Sequence, residues 1–108
     1  MAEKKLFKQS NTQTVTKRET DLQEPQFYSV ILLNDDYTPM DFVIEILVRL
    51  FNHTLPEARR ITMQIHYDGS GIAGIYPKEV AQEKKHNVKL TAKRNEFPLD
   101  CTIEKAQV

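Results

Sequence analysis

The sequence has no tryptophan, one cysteine and three glycines among its 108 residues. A lone cysteine, Cys101, excludes an internal disulfide and a zinc site built from several cysteines. The glycines, at positions 69, 71 and 74, do not form a glycine-rich loop of the kind that cradles phosphate. No apolar run reaches the length of a signal sequence or a membrane span, so we expect a cytoplasmic protein with no membrane partner.

The charge is balanced, with 15 lysine and arginine residues against 15 aspartate and glutamate residues. The sequence contains neither a basic block nor basic residues interleaved with aromatic ones, and both patterns are typical of nucleic-acid binding. We therefore expect no nucleic-acid partner. The length is enough for one domain with a single core.

Residues 1–25 are mostly lysine, glutamine, threonine, glutamate and asparagine, and they show no sustained hydrophobic period. Such a composition buries too little apolar surface to offset the entropy of ordering the chain. The sequence therefore predicts a flexible N-terminal extension over residues 1–25 and one folded domain over residues 26–108. The extension is either an inert tail or a tethered segment that a partner engages.

Three short segments rich in apolar and β-branched residues predict strands at residues 28–33, 72–76 and 101–103. Apolar residues at helical spacing predict three helices, at about residues 39–51, 55–68 and 77–95.

Two start signals accompany the first two helices. Thr38 is the predicted N-cap of the first helix, with Pro39 at its first position. Thr54 and Glu57 form a capping box for the second helix. The order β-α-α-β-α-β predicts an α+β fold in which helices cover one face of a small sheet.

Residues 34–40, with the sequence NDDYTPM, follow the first predicted strand and hold a high density of polar side chains. The first three of them offer several oxygen acceptors in a row, which favours a cation as the ligand. Thr62 and His66 are four residues apart, so they share one face of the second helix, next to Ile65. The two segments together are the candidate site.

Several interpretations of these residues are compatible with the local sequence. Such a polar stretch is commonly a turn that caps a helix, and a histidine on an apolar face is commonly a core residue. Asp35, Asp36 and His66 could also form an acid–base pair or bind a metal, although their spacing matches no metal motif. No serine or cysteine lies in a nucleophile elbow, so we expect no catalysis, no metal and no cofactor.

The string NDDYTPMDFV at residues 34–43, followed one helix later by Ile65-His66-Tyr67, closely resembles the ClpS family of bacterial adaptors for the ATP-dependent Clp protease. The spacing from Glu79 to Lys84 and the string PLDCTIEKA at residues 98–106 fit the same family. The resemblance covers residues 27–106. It implies a small α/β sandwich, in which a three-stranded antiparallel sheet is covered by three helices.

The resemblance implies a non-catalytic adaptor that binds the free N-terminal residue of proteins marked for degradation, where that residue is Leu, Phe, Tyr or Trp. It assigns the substrate's α-ammonium group to Asn34, Asp35 and His66. It assigns the side-chain pocket to Thr38, Met40, Val43, Thr62, Ile65 and Leu99. It implies that three residues of this chain face the N-terminal domain of the ClpA unfoldase: Tyr37, Glu79 and Lys84. It also implies that residues 1–25 are needed to transfer the bound substrate to the unfoldase.

Thr62 departs from the family pattern, in which many members carry a methionine one turn before the histidine. The resemblance implies that this methionine helps Met40 to exclude β-branched side chains from the pocket. Thr62 therefore either relaxes the choice among apolar residues, or Met63 or another neighbour fills the space.

Two other classes of function are compatible with the sequence. One is a small protein–protein interaction module of the same fold without a pocket for an N-terminal residue. The other is a metal- or carboxylate-dependent hydrolase. Binding of a peptide that begins with Phe, without turnover, separates the adaptor from both.

Overall fold

The structure is a computed structural model that describes residues 26–107. The predicted extension over residues 1–25 lies outside the described residues. The described part folds in the predicted order of elements. Their bounds are β1 Phe27–Leu33, α1 Met40–Phe51, α2 Leu55–Asp68, β2 Ser70–Pro77, α3 Lys78–Arg94 and β3 Asp100–Lys105. Each strand extends beyond its predicted bounds, because backbone pairing continues past the apolar runs on which the predictions rested, most clearly at Asp100, Glu104 and Lys105 of β3.

The sheet has the order β2-β1-β3, and both neighbours run antiparallel to the central strand β1. Val30 and Leu32 of β1 point into the core, and Leu32 lies opposite Gly71 on β2 and Cys101 on β3. The predicted fold, a three-stranded antiparallel sheet covered by three helices, is confirmed for residues 26–107.

The three helices pack on one another and on one face of the sheet. Helix α2 packs against β2, α3 crosses all three strands, and α1 packs against both other helices. The core is shared among all these elements, as its largest fully buried side chains show: Leu32, Leu47, Ile61, Val30 and Val88. The opposite face of the sheet carries half-exposed isoleucines on β2, Ile72 and Ile75.

The predicted start of α1 was wrong by one residue. Pro39 is the N-cap, with φ −67° and ψ 145°, and the helix begins at Met40. Thr38 does not cap the helix, because its hydroxyl and its backbone N–H both donate to the carboxylate of Asp35. Half of the predicted capping box of α2 forms, since the Thr54 hydroxyl accepts a hydrogen bond from the Glu57 N–H, but the Glu57 carboxylate accepts hydrogen bonds from the Arg60 guanidinium instead.

Two glycines determine how α2 meets β2. Gly69 ends α2 with φ 92°, a left-handed conformation that glycine adopts without steric cost. At Gly71 an added Cβ would lie only 2.8 Å from the Ile65 side chain. The absence of a side chain at Gly71 therefore allows α2 to lie close to the sheet.

None of the helices within residues 26–107 combines the length and the apolar character that crossing a membrane requires.

The single thiol gives a direct test of this packing. Burial, together with the charge of Asp100, raises the pKa of the Cys101 thiol to about 11. Because the thiolate is the reactive form, Cys101 should react with a disulfide reagent at about pH 8 on the order of a hundredfold more slowly in the native protein than in denaturant. Equal rates in the two states, followed by absorbance, would contradict the buried position of Cys101 on β3.

Candidate binding site

The loop between β1 and α1 is organised by one carboxylate. Asp35 Oδ1 accepts hydrogen bonds from the backbone N–H groups of Tyr37 at 2.8 Å and Thr38 at 2.7 Å. Asp35 Oδ2 accepts a third hydrogen bond from the Thr38 hydroxyl at 2.8 Å. An aspartate whose carboxylate accepts hydrogen bonds from the N–H groups two and three residues later in the chain stabilises a tight turn. The turn leads directly into Pro39 and the start of α1.

These contacts keep Asp35 ionised. Partial burial raises the pKa of the Asp35 carboxyl, but the hydrogen bonds from Thr38 and Tyr37 favour the charged form. Together the hydrogen bonds outweigh burial, so the pKa of Asp35 lies below its ordinary value. The loop therefore places a negative charge beside the N-terminal end of α1, where the helix dipole also favours it.

The last turn of α2 is tied to the same loop. The backbone N–H of Asn34 donates to the carbonyl of Gly69 at 2.9 Å, immediately beyond the end of α2. Helix α2 directs Thr62, Ile65 and His66 toward the loop, as their spacing predicted. Because His66 is exposed, its alternative interpretation as a core histidine is wrong.

A cavity of about 230 Å³ lies between the loop, α1 and α2. Its lining combines carboxylate, amide and imidazole groups with apolar side chains, and consists of Asn34, Asp35, Asp36, Thr38, Met40, Val43, Thr62, Ile65 and His66. Its size exceeds the roughly 150 Å³ of an apolar protein cavity that accepts benzene. The cavity can therefore hold one large side chain together with a cationic group.

Thr62 forms part of the wall with its polar group already satisfied. The side chain is 3% exposed, and its hydroxyl donates to the carbonyl of Ala58 at 2.8 Å, one turn earlier in α2. A ligand therefore meets mainly the aliphatic part of Thr62. Met63 is 40% exposed and does not line the cavity, so it does not fill the space beside Thr62.

The structure brings together all but one of the residues predicted for the ammonium site and the side-chain pocket. The exception is Leu99, which is buried in the core just before β3 and does not line the cavity. Asp36 lines the cavity, although the family resemblance did not assign it to the ammonium site. The position of Asp36 in the NDD string was the signal in the sequence that could have found it. Which of the two adjacent carboxylates accepts the hydrogen bonds of the turn depends on the backbone conformation.

The residues predicted to face an unfoldase have different environments. Tyr37 is 79% exposed at the turn, and Glu79 is exposed in the first turn of α3. Lys84 is half-buried, and its Nζ donates to the carbonyl of Leu50 at 2.6 Å. Their roles as partner contacts remain predictions.

Within residues 26–107, no group of three histidine, cysteine, aspartate or glutamate side chains is arranged to hold a metal ion. The fold and the cavity define a class of protein: a small α+β domain in which one cavity joins acidic and other polar side chains to apolar ones.

Comparison with known proteins identifies the family. The sequence model of the "ATP-dependent Clp protease adaptor protein ClpS" family matches residues 23–102. A ClpS adapter from Shewanella denitrificans is 50% identical over 86% of this chain and 91% of its own length. One from Caulobacter vibrioides is 44% identical over 97% of this chain and 99% of its own. The chain belongs to the ClpS family of Clp protease adaptors.

A solved relative has the same fold. The structure of Agrobacterium tumefaciens ClpS2 bound to L-phenylalaninamide superposes with a TM-score of 0.74 at 35% sequence identity. The match covers 77% of this chain and all of that chain.

The role of Asp35 predicts a pH dependence of stability. Because the pKa of Asp35 is lower in the folded protein than in the unfolded chain, its ionised form stabilises the fold above about pH 4. That contribution is lost as the pH falls through the lower, folded value. The free energy of unfolding of Asp35→Asn should therefore change less between about pH 5 and about pH 2 than that of the wild type, as measured by urea unfolding.

Asp36→Asn is the matched control, since it removes a charge from the same loop without removing any of the three hydrogen bonds to Asp35. Its profile should follow the wild type more closely. If Asp35→Asn and Asp36→Asn have the same profile, the carboxylate of Asp35 does not hold the loop.

Proposed function

We propose that this Clp protease adaptor binds the free N-terminal residue of protein substrates when that residue is Leu, Phe, Tyr or Trp. The observation that carries this proposal is that acidic and other polar acceptors meet apolar side chains in one cavity between the loop, α1 and α2. An N-terminal residue of this kind offers a cation and an apolar group attached to the same carbon atom. An internal residue offers only the apolar group.

The substrate's α-ammonium group is held by the polar part of the lining. Asn34 and His66 offer an amide oxygen and an imidazole nitrogen as acceptors, and Asp35 contributes charge. The carboxylate of Asp35 already accepts three hydrogen bonds from the loop. Asp36 makes no side-chain hydrogen bond or ion pair with another residue in the range 26–107, so its carboxylate is available to the ammonium group.

The apolar part of the lining, formed by Met40, Val43, Ile65 and the methyl side of Thr62, receives the side chain. Burying a Leu- or Phe-sized side chain contributes about 1.5–3 kcal/mol. Each hydrogen bond to the charged ammonium contributes about 1.5–3 kcal/mol. A micromolar complex requires about 8 kcal/mol net of the cost of association, so the hydrogen bonds and the buried side chain are both needed.

The ligand in the solved relative supports this assignment. L-phenylalaninamide, which is bound to Agrobacterium tumefaciens ClpS2, has a free α-amino group, a phenyl side chain and an amide where a peptide chain would continue. It therefore reproduces the first residue of a protein.

Delivery completes the proposed function. The adaptor hands its bound substrate to the ClpA unfoldase of the Clp protease in the cytoplasm, without catalysing a reaction itself. Residues 1–25 serve as the segment that the unfoldase engages, and Tyr37 and Glu79 lie on the surface that meets its N-terminal domain.

The proposal is tested with peptides that differ only at the first residue and its amino group. A fluorescent peptide beginning with Phe should bind, and acetylation of its amino group should weaken binding by about a hundredfold or more, because two or more charged hydrogen bonds are lost. Fluorescence anisotropy gives the affinities, and chromatography of the peptide afterwards shows whether it is intact.

Peptides with Phe moved to the second position, behind Gly or Ser, are the matched controls. Equal binding of the free and acetylated peptides would contradict the proposal. Absence of binding would favour an interaction module without an N-terminal pocket, and cleavage of the peptide would favour a hydrolase.

A threonine at position 62 predicts that the cavity accepts a wider range of N-terminal side chains than it would with a methionine at this position. Because Thr62 is short and Met63 does not fill the space, peptides beginning with Ile or Val should bind within about tenfold of the Leu peptide, a difference of about 1.4 kcal/mol. Thr62→Met should reduce Ile and Val binding more than Leu binding, since the added side chain narrows the cavity.

Gln64→Met is the control, because it adds the same side chain at an exposed position of α2 outside the cavity. The contrary result is that the wild-type protein binds the Ile and Val peptides much more weakly than the Leu peptide, with no further loss in Thr62→Met. That result would show that Thr62 does not set the selectivity.

A further inference from the structure

A second cavity, of about 180 Å³, lies between α1 and the end of α3, and we call it the α1–α3 groove. Phe42, Ile46 and Leu50 of α1 supply its apolar lining, and Thr91 and Asn95 line it from the side of α3. It shares no lining residue with the cavity beside the loop between β1 and α1. Its size exceeds the roughly 150 Å³ of an apolar protein cavity that accepts benzene, so it can hold one aromatic ring.

The polar side chains that line the groove already have partners in the fold. Arg49 Nε lies 2.9 Å from Glu45 Oε2, and Asn95 Nδ2 donates a hydrogen bond of 2.9 Å to the carbonyl of Thr91. An apolar ligand therefore leaves few polar groups without a partner when it enters, which favours an apolar occupant over a polar one.

An aromatic pair lies at one end of the groove. The ring of Phe42 packs on that of Phe97, with 4.8 Å between the ring centroids and an angle of 58° between the planes. Aromatic rings favour such tilted contacts beyond the area that they bury. A further aromatic ring in the groove can extend this pair, so the groove suits an aromatic occupant better than an aliphatic one.

Residues 1–25 contain a segment with this chemistry. Phe7 is the one aromatic residue among them, and Leu6 precedes it, so together they form an adjacent pair of large apolar residues. The remaining large apolar residues of this range, Met1, Val15 and Leu22, each stand without a large apolar neighbour in the sequence.

The length of chain between Phe7 and β1 matches the distance to the groove. Phe27 pairs with Pro77, directly before α3, and Thr91 lies about 20 Å farther along this helix. The roughly 20 residues between Phe7 and Phe27 give a polar chain an r.m.s. end-to-end distance of about 25 Å. A tethered ligand has its highest effective concentration when the two lengths match. Leu22 is too near, since five residues extend over at most about 17 Å.

We propose that the α1–α3 groove is an intramolecular docking site for Leu6 and Phe7, with the Phe7 ring packed against Phe42. Docking holds the N-terminal end of the chain on the folded domain, at a surface separate from the substrate cavity. It does not depend on the proposed function. One consequence does rest on that function: the segment must leave the groove before an unfoldase can engage it.

A spin label at position 9 tests where the segment lies in the full chain. Gln9→Cys is labelled selectively, because Cys101 is buried. The amide NMR signals of Glu45 and Thr91, beside the groove, should lose more intensity than that of Lys78, which is closer to the start of β1. Replacing Leu6 and Phe7 by serine should reverse this order, whereas Val15→Ser is the matched control and should preserve it.

Trypsin measures how much of the segment is docked. Cleavage after Lys5 and Lys8, on either side of the apolar pair, is compared with cleavage after Lys17 and Arg18 in the same molecule. The ratio should be about threefold lower or more in the full chain than in a synthetic peptide of residues 1–25, because proteolysis follows the population of the open form. The double serine variant should give the same ratio in chain and peptide.

A variant of the groove itself completes the test. Thr91→Phe places a ring in the groove from α3 and should raise the cleavage ratio to that of the peptide. Gln82→Phe adds the same ring at an exposed position of α3 outside the groove and should leave the ratio unchanged.

Equal cleavage ratios in chain and peptide, or broadening at the groove that the serine substitutions do not alter, would overturn the proposal. Protection that disappears on dilution would show that the segment docks on a second copy, and it would overturn docking within one chain. None of these measurements involves an unfoldase or a substrate peptide, so a failure of the proposed function leaves them decisive.

Discussion

The conformation of the loop between β1 and α1 depends on the ionised carboxylate of Asp35. It accepts three hydrogen bonds from Tyr37 and Thr38, and no other group described in the loop fixes the turn. This turn sets the direction in which the chain enters α1 and so determines where Met40 and Val43 line the cavity. The same contacts reduce the capacity of Asp35 for further hydrogen bonds, which leaves Asp36 as the neighbouring carboxylate that can meet a ligand. Of the two adjacent aspartates, Asp35 therefore holds the turn, and Asp36 is the one that we propose as a hydrogen-bond acceptor for the ligand.

The second constraint is the close approach of α2 to the sheet. Gly71 allows this approach, Gly69 ends the helix, and the hydrogen bond from the Asn34 N–H to the Gly69 carbonyl joins helix and loop. His66 is thereby brought to the loop from the other side of the cavity. The cavity consequently lies between elements whose separation is fixed by backbone contacts, so a ligand meets a preformed site. A preformed site lowers the ordering cost of binding.

Two charged side chains of α3 have different environments. Lys84 has its ammonium group on a helix carbonyl and two aromatic rings, while Glu79 on the same helix is exposed. Lys84 therefore joins α3 to the end of α1, whereas Glu79 faces solvent.

The sequence by itself determined the order of the elements, the position of the NDD loop and the face of α2 that carries Thr62, Ile65 and His66, because these depend on local periodicity and turn chemistry. The strand order, the core position of Leu99 and the N-cap at Pro39 were decided only by the tertiary structure. The strand order and the position of Leu99 depend on contacts between residues far apart in the sequence. The N-cap depends on which groups compete for the same hydrogen bond. Thr38 has the side chain of a helix cap, but the carboxylate of Asp35 engages its hydroxyl and its N–H once the loop is folded.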